Sequence, residues 1–172
     1  MRGVLLGLLL GAILMAQPAL TFPPPQVNEP DEATLKAIRE RLDQLRRLAA
    51  NSQDPDALIF LKAGEYMLRH REFYGDQAKW TLSVLEEGIK RLGRGAVVPR
   101  AGQMTVRAYR SKVDGSVQPY ALSLPVDADK KRYPLHVVLH GRDANLTEVS
   151  FLYRHRDKAT PGNLDHAVIS AS

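Results

Sequence analysis

The sequence predicts an α/β chain in which a small three-helix module precedes the first strands of a sheet. Two features of the pattern carry that expectation. Between residues 31 and 95, apolar side chains recur three and four apart, the period of an amphipathic helix. Beyond residue 103 the period shortens to two, and a mostly apolar run follows at residues 135–139, as in strands. Of the 172 residues, 44% are hydrophobic and 25% charged, so the chain has the composition of a globular protein.

Residues 1–19 read as an export signal. Arg2 precedes an apolar run from Val4 to Ala16 that is too short to span a bilayer easily, and Gln17, Pro18 and Ala19 follow. Left uncleaved, the same run is a membrane anchor. In either case the remainder is expected outside the cytoplasm: periplasmic, extracellular or membrane-anchored. Membrane contact is expected only through this segment. Residues 20–30, with Phe22-Pro23-Pro24-Pro25 and Pro30, form a Pro-rich linker that favours extended geometry.

The helical module spans residues 31–95. Its first helix is expected from Asp31 to Ala50, with Leu35, Ile38, Leu42, Leu45 and Ala49 on one stripe. The second opens at Asp54-Pro55, an N-cap carboxylate with proline at the first helical position, and runs to Arg71. The third runs from Asp76 to Leu92, buries Ala78, Leu82, Leu85, Ile89 and Leu92, and stops at Gly93 and Gly95. Tyr66 and Trp80 read as core or interface packing.

Residues 103–172 form the sheet portion. Met104, Val106 and Ala108 alternate with polar residues, Asp114-Gly115 signals a hairpin turn through positive φ, and Tyr120, Leu122 and Leu124 alternate on the return. Pro119 cannot donate to a ladder, which places that strand near an edge or at an irregularity. Asp127 to Arg132 is a surface loop. Leu135-His136-Val137-Val138-Leu139 reads as a strand buried on both faces. His166 to Ser170 begins a further strand.

Charge and cysteine exclude several classes. The formal charge of +5 is interleaved in sign: Lys36, Arg39, Arg41, Arg46 and Arg47 alternate with Glu32, Glu40 and Asp43, as on a solvated helix face. A nucleic-acid partner is therefore not expected. With no cysteine there is no disulfide, thiolate metal site or cysteine nucleophile. His136 and His140 stand about 13 Å apart on an extended strand, too far for one metal ion. His136 reads as a structural histidine. There is no phosphate-binding glycine loop, and no cofactor is expected.

Chemistry is expected where the apolar strand ends, in His140-Gly141-Arg142-Asp143. Gly141 allows a sharp turn and leaves neighbouring N–H groups free. Asn145 to Glu148 then has capping-box-like spacing before Val149, Phe151 and Leu152. A strand, a His-Gly turn and a capped helix make the place where a hydrolase sheet takes one oxyanion-hole N–H, a donor worth about 3 kcal/mol to the transition state.

The segments YRSKVDGSVQPYALSLP (Tyr109 to Pro125) and YPLHVVLHGRDANLTEVSFL (Tyr133 to Leu152) resemble exported α/β-hydrolases of the prolyl-oligopeptidase and esterase branch. The helical stretch from Asp54 to Leu92 is similar to the leader region of some of them. The resemblance covers roughly residues 54 to 155. It implies a truncated α/β-hydrolase sheet, a serine-hydrolase mechanism, and a peptide or ester substrate. It also implies that His140, Gly141, Arg142 and Asp143 form the oxyanion-hole loop.

The sequence departs from that pattern at its centre. None of Ser52, Ser83, Ser111, Ser116, Ser123, Ser150, Ser170 and Ser172 lies in a Gly-x-Ser-x-Gly elbow. No catalytic residue is therefore assigned on this chain, and the expected function is the N-terminal part of a secreted serine hydrolase, inactive by itself. The alternative is a non-catalytic exported module whose amphipathic helices bind a partner.

Overall fold

A computed structural model describes residues 25–95, 97–141 and 143–171. The export signal expected over residues 1–19 lies outside them. The chain is mixed α/β, and among the described residues it has four helices and a five-stranded mixed sheet.

Three helices come first: α1 (Glu32–Ala49), α2 (Pro55–His70) and α3 (Gln77–Arg94). Asp31 caps α1 by accepting the Thr34 N–H at 2.7 Å, and Asp54 caps α2 by accepting the Asp56 N–H at 3.0 Å. The α1 stripe buries Ile38, Leu42, Leu45 and Ala49, as its spacing predicts, while Leu35 at its start is half-buried against the same core. The end of α3 differs from expectation: Gly93 is helical, and Gly95 alone breaks the helix, at φ 75°.

The buried line of α3 also differs. Leu82, Ile89 and Leu92 are half-buried, whereas Gln77, Thr81, Val84, Gly88 and Arg91 are buried beside Ala78 and Leu85. The reason is crowding, because α3 packs against α1, α2 and a later helix at once. Its closest face therefore carries small residues. A Cβ on Gly88 would lie 2.6 Å from Phe60 Cβ, and one on Gly64 of α2 would lie 2.7 Å from Leu85 Cδ2. The stretch before α1 lies along this module. Val27 bridges Tyr74, the Asn28 N–H donates to Phe73 O at 2.7 Å, and Glu29 pairs with Arg71.

The sheet comprises β1 (Gln103–Arg110), β2 (Val117–Ser123), β3 (Leu135–Leu139), β4 (Lys158–Ala159) and β5 (Ala167–Ala171), in the order β3-β5-β2-β1-β4. Helix α4 (Glu148–Arg154) connects β3 towards β4. β1 and β2 form an antiparallel hairpin with Val106 opposite Ala121, and β5 lies antiparallel to β2 and parallel to β3. Val106 and Ala108 bury beneath the helices as predicted. On β2 the fully buried set is Val117, Pro119, Ala121 and Ser123, while Tyr120 and Leu122 are half-buried on the opposite face. The alternation expected on this strand is present, with the smaller residues on its buried face.

β2 is an interior strand and not an edge, yet Pro119 lies past the end of its pairing with β5, so of the two alternatives a local interruption is the one observed. Pro119 faces Ala108, whose N–H points away from β2 to Asp56, so this pair asks no N–H of the proline. Pairing between β5 and β2 runs from Ser123 only as far as Tyr120. The hairpin turn is longer than two residues. Ser111 N–H bonds to Ser116 O, and of the Asp114-Gly115 pair only Gly115 takes positive φ. Asp114 instead accepts from Ser116 N–H and Oγ, and hydrogen bonds from the Ser116 and Ser111 side chains hold its carboxyl down at about 2.

One buried apolar cluster joins Ile38, Leu45 and Phe60 of the helices to Val106 and Ala121 of the hairpin and to Val149, Phe151 and Leu152 of α4. β3 lies outside it. The strand expected to be buried on both faces is exposed along its whole length, because its one neighbour in the sheet is β5 and α4 packs on α2 and α3.

Candidate functional site

The loop from His140 to Leu146 leaves the carboxyl end of β3, where Leu139 pairs with Ala171 of the parallel β5. His140, Gly141 and Asp143 are brought together on it and are exposed; Arg142 lies outside the described residues. His140 Nδ1 stands 2.7 Å from Gly141 O, so the ring contacts its own backbone. Asp143 Oδ1 accepts the Asn145 N–H at 2.9 Å, and Asp143 O accepts the Leu146 N–H at 3.2 Å, which shapes the turn into α4.

Two expectations change here. Gly141 does not adopt positive φ, and a Cβ at that position meets nothing within 4 Å. A glycine is therefore not demanded by backbone conformation or by packing; what it leaves is open space beside the strand end. The cap of α4 is formed by Thr147 with Ser150, not by Asn145 with Glu148. Thr147 Oγ1 accepts the Ser150 N–H at 3.1 Å, and Ser150 Oγ accepts the Thr147 N–H at 3.0 Å. Asn145 is already engaged in the Asp143 turn, so the helix starts two residues later.

Other residues singled out by the sequence fall elsewhere. His136 is exposed, and its ring stacks on His166 with centroids 4.1 Å apart, so it is not a buried structural histidine. His155 stacks on Phe151. Trp80 packs as expected: its ring lies 4.9 Å from Tyr153 at 8°, joining α3 to α4. Tyr66 is 38% exposed and touches His70 on its own helix, so it belongs to the surface. An open groove beside the loop is lined by Tyr74, Asp76, Trp80, Ala144, Asn145 and Arg154. Among the described residues, no group of three or more histidines and carboxylates is placed to hold a metal ion, and no helix is long and apolar enough to cross a membrane.

Two polar residues of the helices reach this region without any signal in the sequence. Lys62 Nζ pairs with Glu148 at the start of α4 and donates to Val117 O at 2.8 Å. Gln77 is buried against the loop itself. A polar residue in a helical pattern reads as solvated, and only the tertiary contact reveals its place. Burial pushes the Glu148 carboxyl up, Lys62 opposes the shift, and Glu72 adds to it.

No protein-family model, curated protein or solved structure matches the chain.

Proposed function

We propose that this chain is the front part of an exported serine hydrolase acting on peptide or ester bonds, and that it contributes the oxyanion-side loop. The observation that carries the reading is the position of that loop, at the carboxyl end of β3 beside the parallel β5 and leading into α4. Ligands of open α/β sheets bind outside the carboxyl ends of their strands. The sequence of elements supports the same reading: an antiparallel hairpin, then strand, His-Gly loop, capped helix and parallel strand.

In the mechanism this implies, a serine attacks the acyl carbon and a histidine takes its proton. N–H groups near Gly141 and Arg142 receive the charge that develops on the carbonyl oxygen. Among the described residues nothing accepts from the Gly141 N–H. The nucleophile and its base are not on this sequence, since no serine here sits in an elbow. The 172-residue chain is accordingly inactive in this reading.

The deciding experiment is to read the coding DNA beyond codon 172 in all three frames. A downstream Gly-x-Ser-x-Gly followed by an acid and a histidine supports the proposal, and none over several hundred codons sinks it. The alternative, a non-catalytic exported binding module, is favoured by the single core that joins α1 to α4. It predicts a monodisperse chain that melts cooperatively.

A further inference from the structure

We propose that Gln77 is a positioning residue, by which the helical module clamps the stretch from Asp143 to Thr147 and so restrains the loop that carries Gly141. What the loop does rests on the hydrolase reading; the clamp itself rests on contacts alone.

Gln77 is the first residue of α3 and is only 2% exposed. An amide buried that deeply is costly unless both ends are bonded, and both are. Its Nε2 donates to Asn145 O at 2.9 Å, and its Oε1 accepts from the Thr147 hydroxyl. These partners lie 68 and 70 residues away in sequence, two apart on one loop. The amide has one workable orientation, because a reversed group would set two carbonyl oxygens against each other at Asn145.

From Gln77 the bonds continue in both directions. Thr147 is the N-cap of α4 and ties Ser150, so the clamp reaches the helix. Asn145 and Leu146 bond back to Asp143, so it also reaches within two residues of Gly141. Burial does not hold this stretch, since His140, Gly141, Asp143, Ala144 and Asn145 are all exposed. The helices tie to it through the Gln77 amide. A donor displaced by about 1 Å can forfeit a hundredfold in rate, so such a tie matters for a loop of this kind.

Hydrogen exchange on the intact chain tests the clamp without any need for turnover. Gln77→Ala is expected to lower protection of the Asn145, Leu146 and Ser150 amides about tenfold more than that of the α1 and α2 amides. Gln77→Glu gives a readout that packing alone does not move. Near pH 7 its carboxylate faces the Asn145 carbonyl and the loop loosens; on acidification the protonated acid again offers a donor, and protection returns. Thr147→Ser keeps the hydroxyl and preserves protection, whereas Thr147→Val loses it. Equal loop protection in wild type and Gln77→Ala overturns the proposal. So does a Gln77→Glu variant with no pH dependence. The hydrolase reading can fail at the DNA test while the clamp stands, and the reverse also holds.

Discussion

Asp56 Oδ1 accepts the Ala108 N–H at 2.6 Å, and its Oδ2 accepts Arg107 Nε at 2.7 Å. A carboxylate in the first turn of α2 thereby closes the outer edge of β1 beyond the point where β4 stops pairing. Arg91 and Asp157 treat Val106 in the same way, the guanidinium donating to its carbonyl at 2.6 Å and the carboxylate accepting its N–H at 3.2 Å. An edge strand with bare N–H groups invites pairing with another chain, and these side chains remove that opening.

Asp56→Ala is therefore expected to destabilise the chain by about 3 kcal/mol, since it leaves a buried N–H and a part-buried guanidinium without an acceptor. Asp56→Asn, which keeps one acceptor, is expected to cost about half as much. Urea midpoints of the three proteins check this, and an unchanged midpoint for Asp56→Ala contradicts it.

The approach of α2 and α3 predicts opposite effects at two glycines of one helix. Gly88→Ala drives a methyl into Phe60 and is expected to cost about 2 kcal/mol. Gly93→Ala meets nothing within 4 Å in the last turn of α3, and is expected to gain about 0.5 kcal/mol from helix propensity. Thermal melts of the two variants should move in opposite directions.

Lys62 and Glu148 predict a pH dependence. The folded-state carboxyl is raised by burial, so the folded chain holds that proton more tightly than the unfolded one. Ionisation of Glu148 therefore removes stability as pH rises above the ordinary carboxylate range. Lys62→Met takes away the opposing cation and is expected to cost about 2 kcal/mol near pH 7. Near pH 4, with Glu148 protonated, mainly the bond to Val117 O is lost and the cost should fall by about half. Equal costs at both pH values would show that the pair carries no charge coupling.

β3 predicts self-association. Leu135, Val137, Val138 and Leu139 are 50–75% exposed on a strand with β5 on one side. The purified chain should associate with rising concentration in light scattering, and Val138→Lys should reduce this while leaving the melting temperature in place. A wild-type chain that stays monodisperse at high concentration contradicts this.

Much of the local structure was legible because local rules produce it. The α1 stripe, the Asp54-Pro55 start of α2 and the alternation of Val106 and Ala108 each follow from period and capping. The loop at His140 was legible for the same reason, as a turn signal after an apolar run. The pieces misread were those where two local signals compete. Asn145 and Thr147 both offer an N-cap, and the turn at Asp143 decides between them. On β2 the alternation alone left open which face is buried, and the tertiary structure places Val117, Pro119, Ala121 and Ser123 there.

By itself, then, the sequence determined the element types other than the short β4, most of their boundaries, and the absence of a serine elbow, because each depends on neighbours within a few residues. Only the tertiary structure decided the strand order and the state of β3. An apolar run specifies burial only when something packs on it, and here the helices cover β1 and β2 instead. It also decided that Asp56, Gln77 and Arg91, polar residues in helical patterns, sit at the joints between layers. Their partners across those joints lie 15 to 70 residues away, where no local period can point to them.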